Sequence, residues 1–154
     1  MGMTRTRPFG ITLLALVQII SGLQFWLLAI ASRADATELQ NALSEHAWIA
    51  ENVDGVFFWS RIIYVVLGLL AFALAYGYLN GNEWAGRRGT SVAVFAIVVA
   101  FLTMMLVAIP ANLGSPMWLF TLWTLVAVWT IAFNIAIIIF LGRPTVKAYF
   151  KRGR

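Results

Sequence analysis

His46 is the only histidine in the chain; Glu45 stands beside it and Glu51 five residues on, and there is no cysteine. A metal centre draws three or four ligands from several positions, so one imidazole and two carboxylates within a single acidic stretch read as a solvated face. Without cysteine there is no thiolate nucleophile, disulfide or iron–sulfur ligation. The sequence holds no P-loop, no dinucleotide glycine fingerprint, no GxSxG and no HExxH. No catalytic, cofactor-binding or metal-binding residue is assigned, and no cofactor is expected.

The other candidates for chemistry are polar side chains set inside long apolar runs. The chain is 62% hydrophobic and 11% charged, with a mean hydropathy of +0.86. A soluble domain of 154 residues has no interior large enough for that much apolar surface, so lipid is its solvent. There, each polar group costs free energy unless it finds a partner. Gln18 and Gln24 fall in the first apolar run, Ser60 and Arg61 in the second, Thr103 in the third, and Thr124, Thr130 and Asn134 in the fourth. By helical rise, Gln18 lies ~13 Å and Asn134 ~10 Å from the same end of their helices, so the two amides can share one layer. Two readings follow: contact points along a solute or ion path, or an amide pair joining helices one and four, with about 0.6 kcal/mol for such a hydrogen bond in a membrane. Arg61 is the one charge well inside an apolar run. It either faces inward toward an anion or quinone headgroup, with Gln24 as partner, or snorkels outward to Asp54, Glu51 or a lipid phosphate. Gln18, Gln24, Arg61, Thr103 and Asn134 are the candidate intramembrane polar layer.

Four helices must position these residues, at about 9–32, 56–79, 90–109 and 118–141, each long enough to cross a ~30 Å hydrocarbon core. The first follows a basic start and contains Ala29-Ile30-Ala31, as a signal peptide can. Its apolar run exceeds the usual ~7–15 residues, so we read it as a retained helix. Residues 33–55 form an acidic outer loop, where Thr37 could cap a short amphipathic helix built on Leu39, Leu43, His46, Ala47 and Ala50 at spacings of three and four. A hinge at 80–89 carries Gly81, Gly86 and Gly89, the third span ends at Pro110, and 142–154 is a basic tail. Small residues let membrane helices approach closely. Gly68, Ala71 and Ala75, with Ala73 and Gly77 offset from them, mark a packing face on helix two, and Ala93, Ala96 and Ala100 one on helix three. The whole is a single domain, an all-α antiparallel four-transmembrane-helix bundle with a short amphipathic helix on its outer side.

Nine of the eleven Lys and Arg lie in the N-terminal tail, the hinge and the C-terminal tail. The positive-inside rule therefore puts both termini and the hinge in the cytoplasm, and the net charge of +5 reads as membrane topology, with no nucleic-acid partner. Arg87, Arg88, Arg143, Lys147, Lys151 and Arg152 would meet lipid headgroups, with Tyr149 and Phe150 at the same depth. Trp48, Trp59, Trp84 and Trp118 fall near the expected interfaces, where such rings are enriched.

Three stretches, RPFGITLLALVQIISG (7–22), AYGYLNGNEWA (75–85) and NIAIIIFLGRPTVKAYF (134–150), together resemble a family of small four-span membrane proteins frequent in archaea. That family opens with RPxG and a glutamine, leaves its second helix through YGxLxGxxWA and ends with an asparagine followed by RPxVKAYF. The resemblance implies a four-span fold and a membrane address without an activity, and it matches Gln18 and Asn134 to the family pattern. The outer loop is longer and more acidic than the resemblance leads one to expect. The chain is thus expected to be a non-enzymatic integral membrane protein that packs against itself or another membrane protein through the alanine and glycine faces of helices two and three, the alternatives being a small transporter or channel and, third, a membrane enzyme.

Overall fold

A computed structural model of the chain describes residues 9–42, 47–112 and 117–151. Its elements are five helices: α1 (Phe9–Ala42), α2 (Ala47–Leu79), α3 (Glu83–Asn112), α4 (Met117–Gly142) and α5 (Pro144–Lys151). Four are long and apolar enough to cross a membrane, over Phe9–Ala31, Gly55–Leu79, Glu83–Met105 and Thr121–Gly142. None of these four has a marked polar face, the pattern of a helix surrounded by apolar material on every side. The burial pattern agrees. Leu16, Leu23, Leu69, Leu125 and Ile139 point outward, while Gln18, Thr130, Asn134 and a series of alanines point inward. So many large apolar side chains on the outside suit lipid and would aggregate in water. The chain is an all-α, multi-pass membrane protein.

Packing pairs the helices as two hairpins. α1 lies closely along α2 and α3 along α4, while the α2–α3 and α1–α4 seams are thinner. In the α1–α2 hairpin a Cβ on Gly68 would fall on the Trp26 indole and 3.1 Å from the Gly22 carbonyl oxygen, so the helices cross where neither has a side chain. The core divides lengthwise. Phe25, Tyr64, Leu67, Ala96 and Trp123 fill one half, and Ile11, Leu14, Leu74, Tyr78 and Ile137 the other, which α5 closes with Val146, Tyr149 and Phe150.

The turn between α2 and α3 is short because its sequence terminates one helix and starts the next. Gly81 takes φ 66°, a left-handed conformation that side chains disfavour. Asn82 N–H donates to the Gly77 carbonyl at 2.9 Å and Gly81 N–H to that of Tyr78 at 3.1 Å, the paired bonds of a Schellman cap. The Asn82 carbonyl then accepts from Ala85 N–H at 3.0 Å and opens α3. Glu83 in the first turn suits the positive end of the helix dipole.

Several boundaries differ from expectation. Among the described residues the outer segment 33–55 is helix: α1 continues to Ala42 and α2 starts at Ala47, so residues 33–42 and 47–55 belong to the long helices where the sequence predicts a separate amphipathic surface helix, and Leu43 lies outside the described residues. Nothing between Ser32 and Ala42 is Gly or Pro, and an established helix extends more readily than a new one nucleates. Glu45 and His46 lie outside the described residues. The hinge shrinks to 80–82, since α3 begins at Glu83 and takes Arg87 and Arg88 into its first turns. α3 runs two residues beyond Pro110, an offset ordinary for a frayed helix end. The tail is the largest departure. Pro144 occupies the first helical position, the Arg143 carbonyl accepts from Val146 and Lys147 N–H at 3.1 and 3.0 Å, and α5 buries Tyr149 and Phe150 against the bundle instead of leaving them among headgroups.

Candidate functional site

Side-chain hydrogen bonds cross both thin seams. Across α1–α4, Gln24 Nε2 donates to Thr130 Oγ1 at 3.0 Å, and Thr130 passes its own proton to the Val126 carbonyl at 2.8 Å. Across α2–α3, the Tyr64 and Thr103 hydroxyls are 2.8 Å apart, and Thr103 Oγ1 donates to the Val99 carbonyl at 2.9 Å. A threonine hydroxyl has one proton, so Tyr64 O–H must be the donor to Thr103. In both seams a threonine relays a bond to its own helix backbone, so its hydroxyl both accepts and donates in a medium without water.

Between the seams, among the described residues, aromatic rings fill the axis of the bundle. Tyr64 stacks on Phe25 and on Trp123, each at 6.3 Å between ring centroids, and Phe57 meets Trp123 edge-on at 6.5 Å. The cavity that Tyr64, Thr103 and Thr130 line holds about 10 Å³, at the threshold for one water molecule.

The Gln18–Asn134 amide pair does not form. Both side chains are buried, at 3% and 6% exposure, but Asn134 Nδ2 donates to the Thr130 carbonyl of its own helix at 2.8 Å. Gln18 instead lies within interaction range of the Tyr78 hydroxyl. The contact falls short of hydrogen-bond geometry, so among the described residues Tyr78 Oη is left buried without a partner, as is Thr124 Oγ1. Among the described residues Arg61 pairs with neither Gln24 nor an anion: half-buried, it donates Nε–H to the Phe57 carbonyl one turn back at 3.2 Å, and the side chains of Glu51 and Asp54 lie outside those described. The five candidate residues therefore do not form one layer. Gln24 and Thr103 sit on the two seams, Gln18 and Asn134 lie nearer the α5 end, and Arg61 serves its own helix. Among the described residues no group of three His, Asp or Glu is placed to hold a metal.

The small-residue faces are turned inward. Gly68, Ala71, Ala75 and Gly77 are buried, as are Ala93, Ala96 and Ala100, and a Cβ on Gly77 would meet that of Ala85 at 2.5 Å. Ala73 is exposed and lies off that face, because two residues along a helix rotate the side chain to the opposite flank. The basic residues gather at the α5 end, all exposed: Arg87, 3.5 Å from Glu83; Arg88; Arg143, 5.8 Å from the Phe140 ring centre; Lys147; and Lys151. Arg152 lies outside the described residues.

Sequence reasoning passed over Tyr64 as the partner of Thr103, Thr130 as that of Gln24, and α5 as a helix. Tyr64 carried no signal, since a tyrosine in an apolar run reads as packing. α5 did carry one: Pro144 at a helix start, Val146, Tyr149 and Phe150 at spacings of three and four, and Lys147 and Lys151 four apart. No protein-family model, curated protein or solved structure matches the chain.

Proposed function

We propose that this chain is a non-enzymatic protein of the cell membrane that acts by association, with itself or with another membrane protein, as an accessory or scaffolding subunit. The observation that carries this reading is the filled axis between the two seams, where a path would run: an aromatic stack across α1, α2 and α4, a cavity of about 10 Å³, and the Gln24–Thr130 and Tyr64–Thr103 pairs on either side. Catalysis needs an acid, a base or a metal gathered in a pocket. The described interior offers amides, hydroxyls and an arginine bonded to its own helix. Both termini and the 80–82 turn are assigned to the cytoplasm on the charge asymmetry of the ends. The likeness of residues 7–22, 75–85 and 134–150 to the small four-span family points to the same fold and address.

The small-residue faces are occupied within the bundle, so a partner must meet the chain through side chains that point outward. A photoreactive residue placed in turn at Ala73, Val98 and Leu125, exposed positions on three helices, tests this in native membranes. Association gives a discrete adduct above 17.1 kDa from one face; lipid adducts alone from all three contradict it. The alternative is a small transporter. It draws on Thr103, which lines both the central cavity and a lateral pocket of about 270 Å³ between α2 and α3. Solute or ion flux into proteoliposomes that is lost in Thr103→Val would favour it.

A further inference from the structure

We infer that the groove enclosed by α3, α4 and α5 is a binding site for one anionic membrane phospholipid. The groove holds about 440 Å³ and combines two chemistries. Ile138, Leu141 and Phe150 form an apolar wall, and Arg87, Lys147 and Lys151 stand at its rim. Its depth matches a headgroup, because the spans of α3 and α4 begin at Glu83 and end at Gly142 on this side. A free anion has no use for the apolar wall and a purely apolar ligand none for the cations; a phospholipid uses both.

The charge arrangement selects the headgroup. Glu83 lies 3.5 Å from Arg87 and offsets it, whereas among the described residues neither lysine has an ion pair. Lys147 and Lys151 are one turn apart on α5, so both ammonium groups can converge on one phosphate. The ammonium of a zwitterionic lipid would stand among these like charges, so the site favours a head whose only charge is its phosphate. The lysines are held there because α5 is anchored to the bundle by Phe150, the residue that also lines the groove. Phe150 packs on Gly86, where a Cβ would come within 2.7 Å of the ring, and on the Tyr78 ring at 5.8 Å. The site requires a membrane around the helices and is independent of any protein partner.

The test is native mass spectrometry of the detergent-solubilised full chain with dioleoyl phosphatidylglycerol against dioleoyl phosphatidylcholine. Phosphatidylglycerol should bind about fivefold to thirtyfold more tightly, the contribution of one to two lysines near an anionic surface. Lys147→Gln/Lys151→Gln should erase that preference, while Arg88→Gln/Arg143→Gln, an equal loss of charge outside the groove, should keep it within about twofold. Thr90→Trp, which fills the groove and leaves its charges, should weaken phosphatidylglycerol binding. Inorganic phosphate in excess should not displace the lipid. Equal binding of the two lipids, equal losses in the two charge pairs, indifference to Thr90→Trp, or displacement by phosphate would each overturn the assignment.

Discussion

Replacing Gly68 by isoleucine should separate the packed face of α2 from its lipid face more cleanly than any other single change. Two effects oppose. Removing a glycine from a helix interior gains up to about 1 kcal/mol of propensity, less for a β-branched residue. Against this, the new Cβ lands on the Trp26 indole and 3.1 Å from the Gly22 carbonyl oxygen, and the branched carbons extend further into α1. Trp26 is 41% exposed and can swing out, but the Gly22 backbone cannot move without shifting the helix. Overpacking of that kind costs about 1–3 kcal/mol, so with about 0.5 kcal/mol of propensity regained the net loss should be ~0.5–2.5 kcal/mol, a twofold to seventyfold fall in the folding equilibrium. Gly68→Ala should cost less than Gly68→Ile, because its single methyl displaces the exposed Trp26 indole, needs only a few tenths of an ångström from the Gly22 carbonyl and recovers propensity. Ala73→Ile, on the same helix but exposed, should change stability by less than about 0.5 kcal/mol. Reversible unfolding in mixed micelles of mild detergent and sodium dodecyl sulfate, followed by circular dichroism, measures all three. If Ala73→Ile destabilises as much as Gly68→Ile, or if Gly68→Ile is neutral, the assignment of faces is wrong.

A double-mutant cycle of Tyr64→Phe with Thr103→Val should give a coupling of about 0.6 kcal/mol and at most about 1.7, and Gln24→Leu with Thr130→Val the same; zero coupling would mean that the seams are not bonded as described. Gly86→Leu should expel Phe150 and free α5, so amide exchange over 146–151 accelerates while α2 and α4 stay protected; unchanged protection of α5 refutes its anchoring at Gly86. Cysteines placed singly at Glu45, Arg88 and Lys147 should react with a membrane-impermeant maleimide on intact cells only at position 45, and labelling at 88 or 147 would reverse the topology.

The spans were legible because transfer to lipid is a property of composition: twenty apolar residues in a row mark a membrane crossing whatever they touch. Gly68, Ala71 and Ala75 were legible as a packing face for a related reason, since small side chains have few other uses in lipid. What they pack against was not. The faces offered for a partner are consumed by the neighbouring helices of the same chain, and only the fold distinguishes these cases. The polar pairings were illegible because equal depth is a weaker constraint than rotation about the helix axis. Gln18 and Asn134 match in depth, yet Asn134 turns back to its own helix while Gln24 reaches Thr130. Charge misled at both ends of the bundle. The acidic segment 33–55 and the basic tail read as an outer loop and a headgroup-contacting tail, whereas residues up to Ala42 extend α1 and the tail folds as α5 with Val146, Tyr149 and Phe150 inside.

The association reading meets its most direct test in the mass of the assembly taken from native membrane with its surrounding lipid, in polymer-excised nanodiscs, so that no detergent can strip a partner. The account predicts a protein mass above one chain of 17.1 kDa, in a fixed ratio to a second copy or to another membrane protein. A single chain accompanied only by lipid would contradict it.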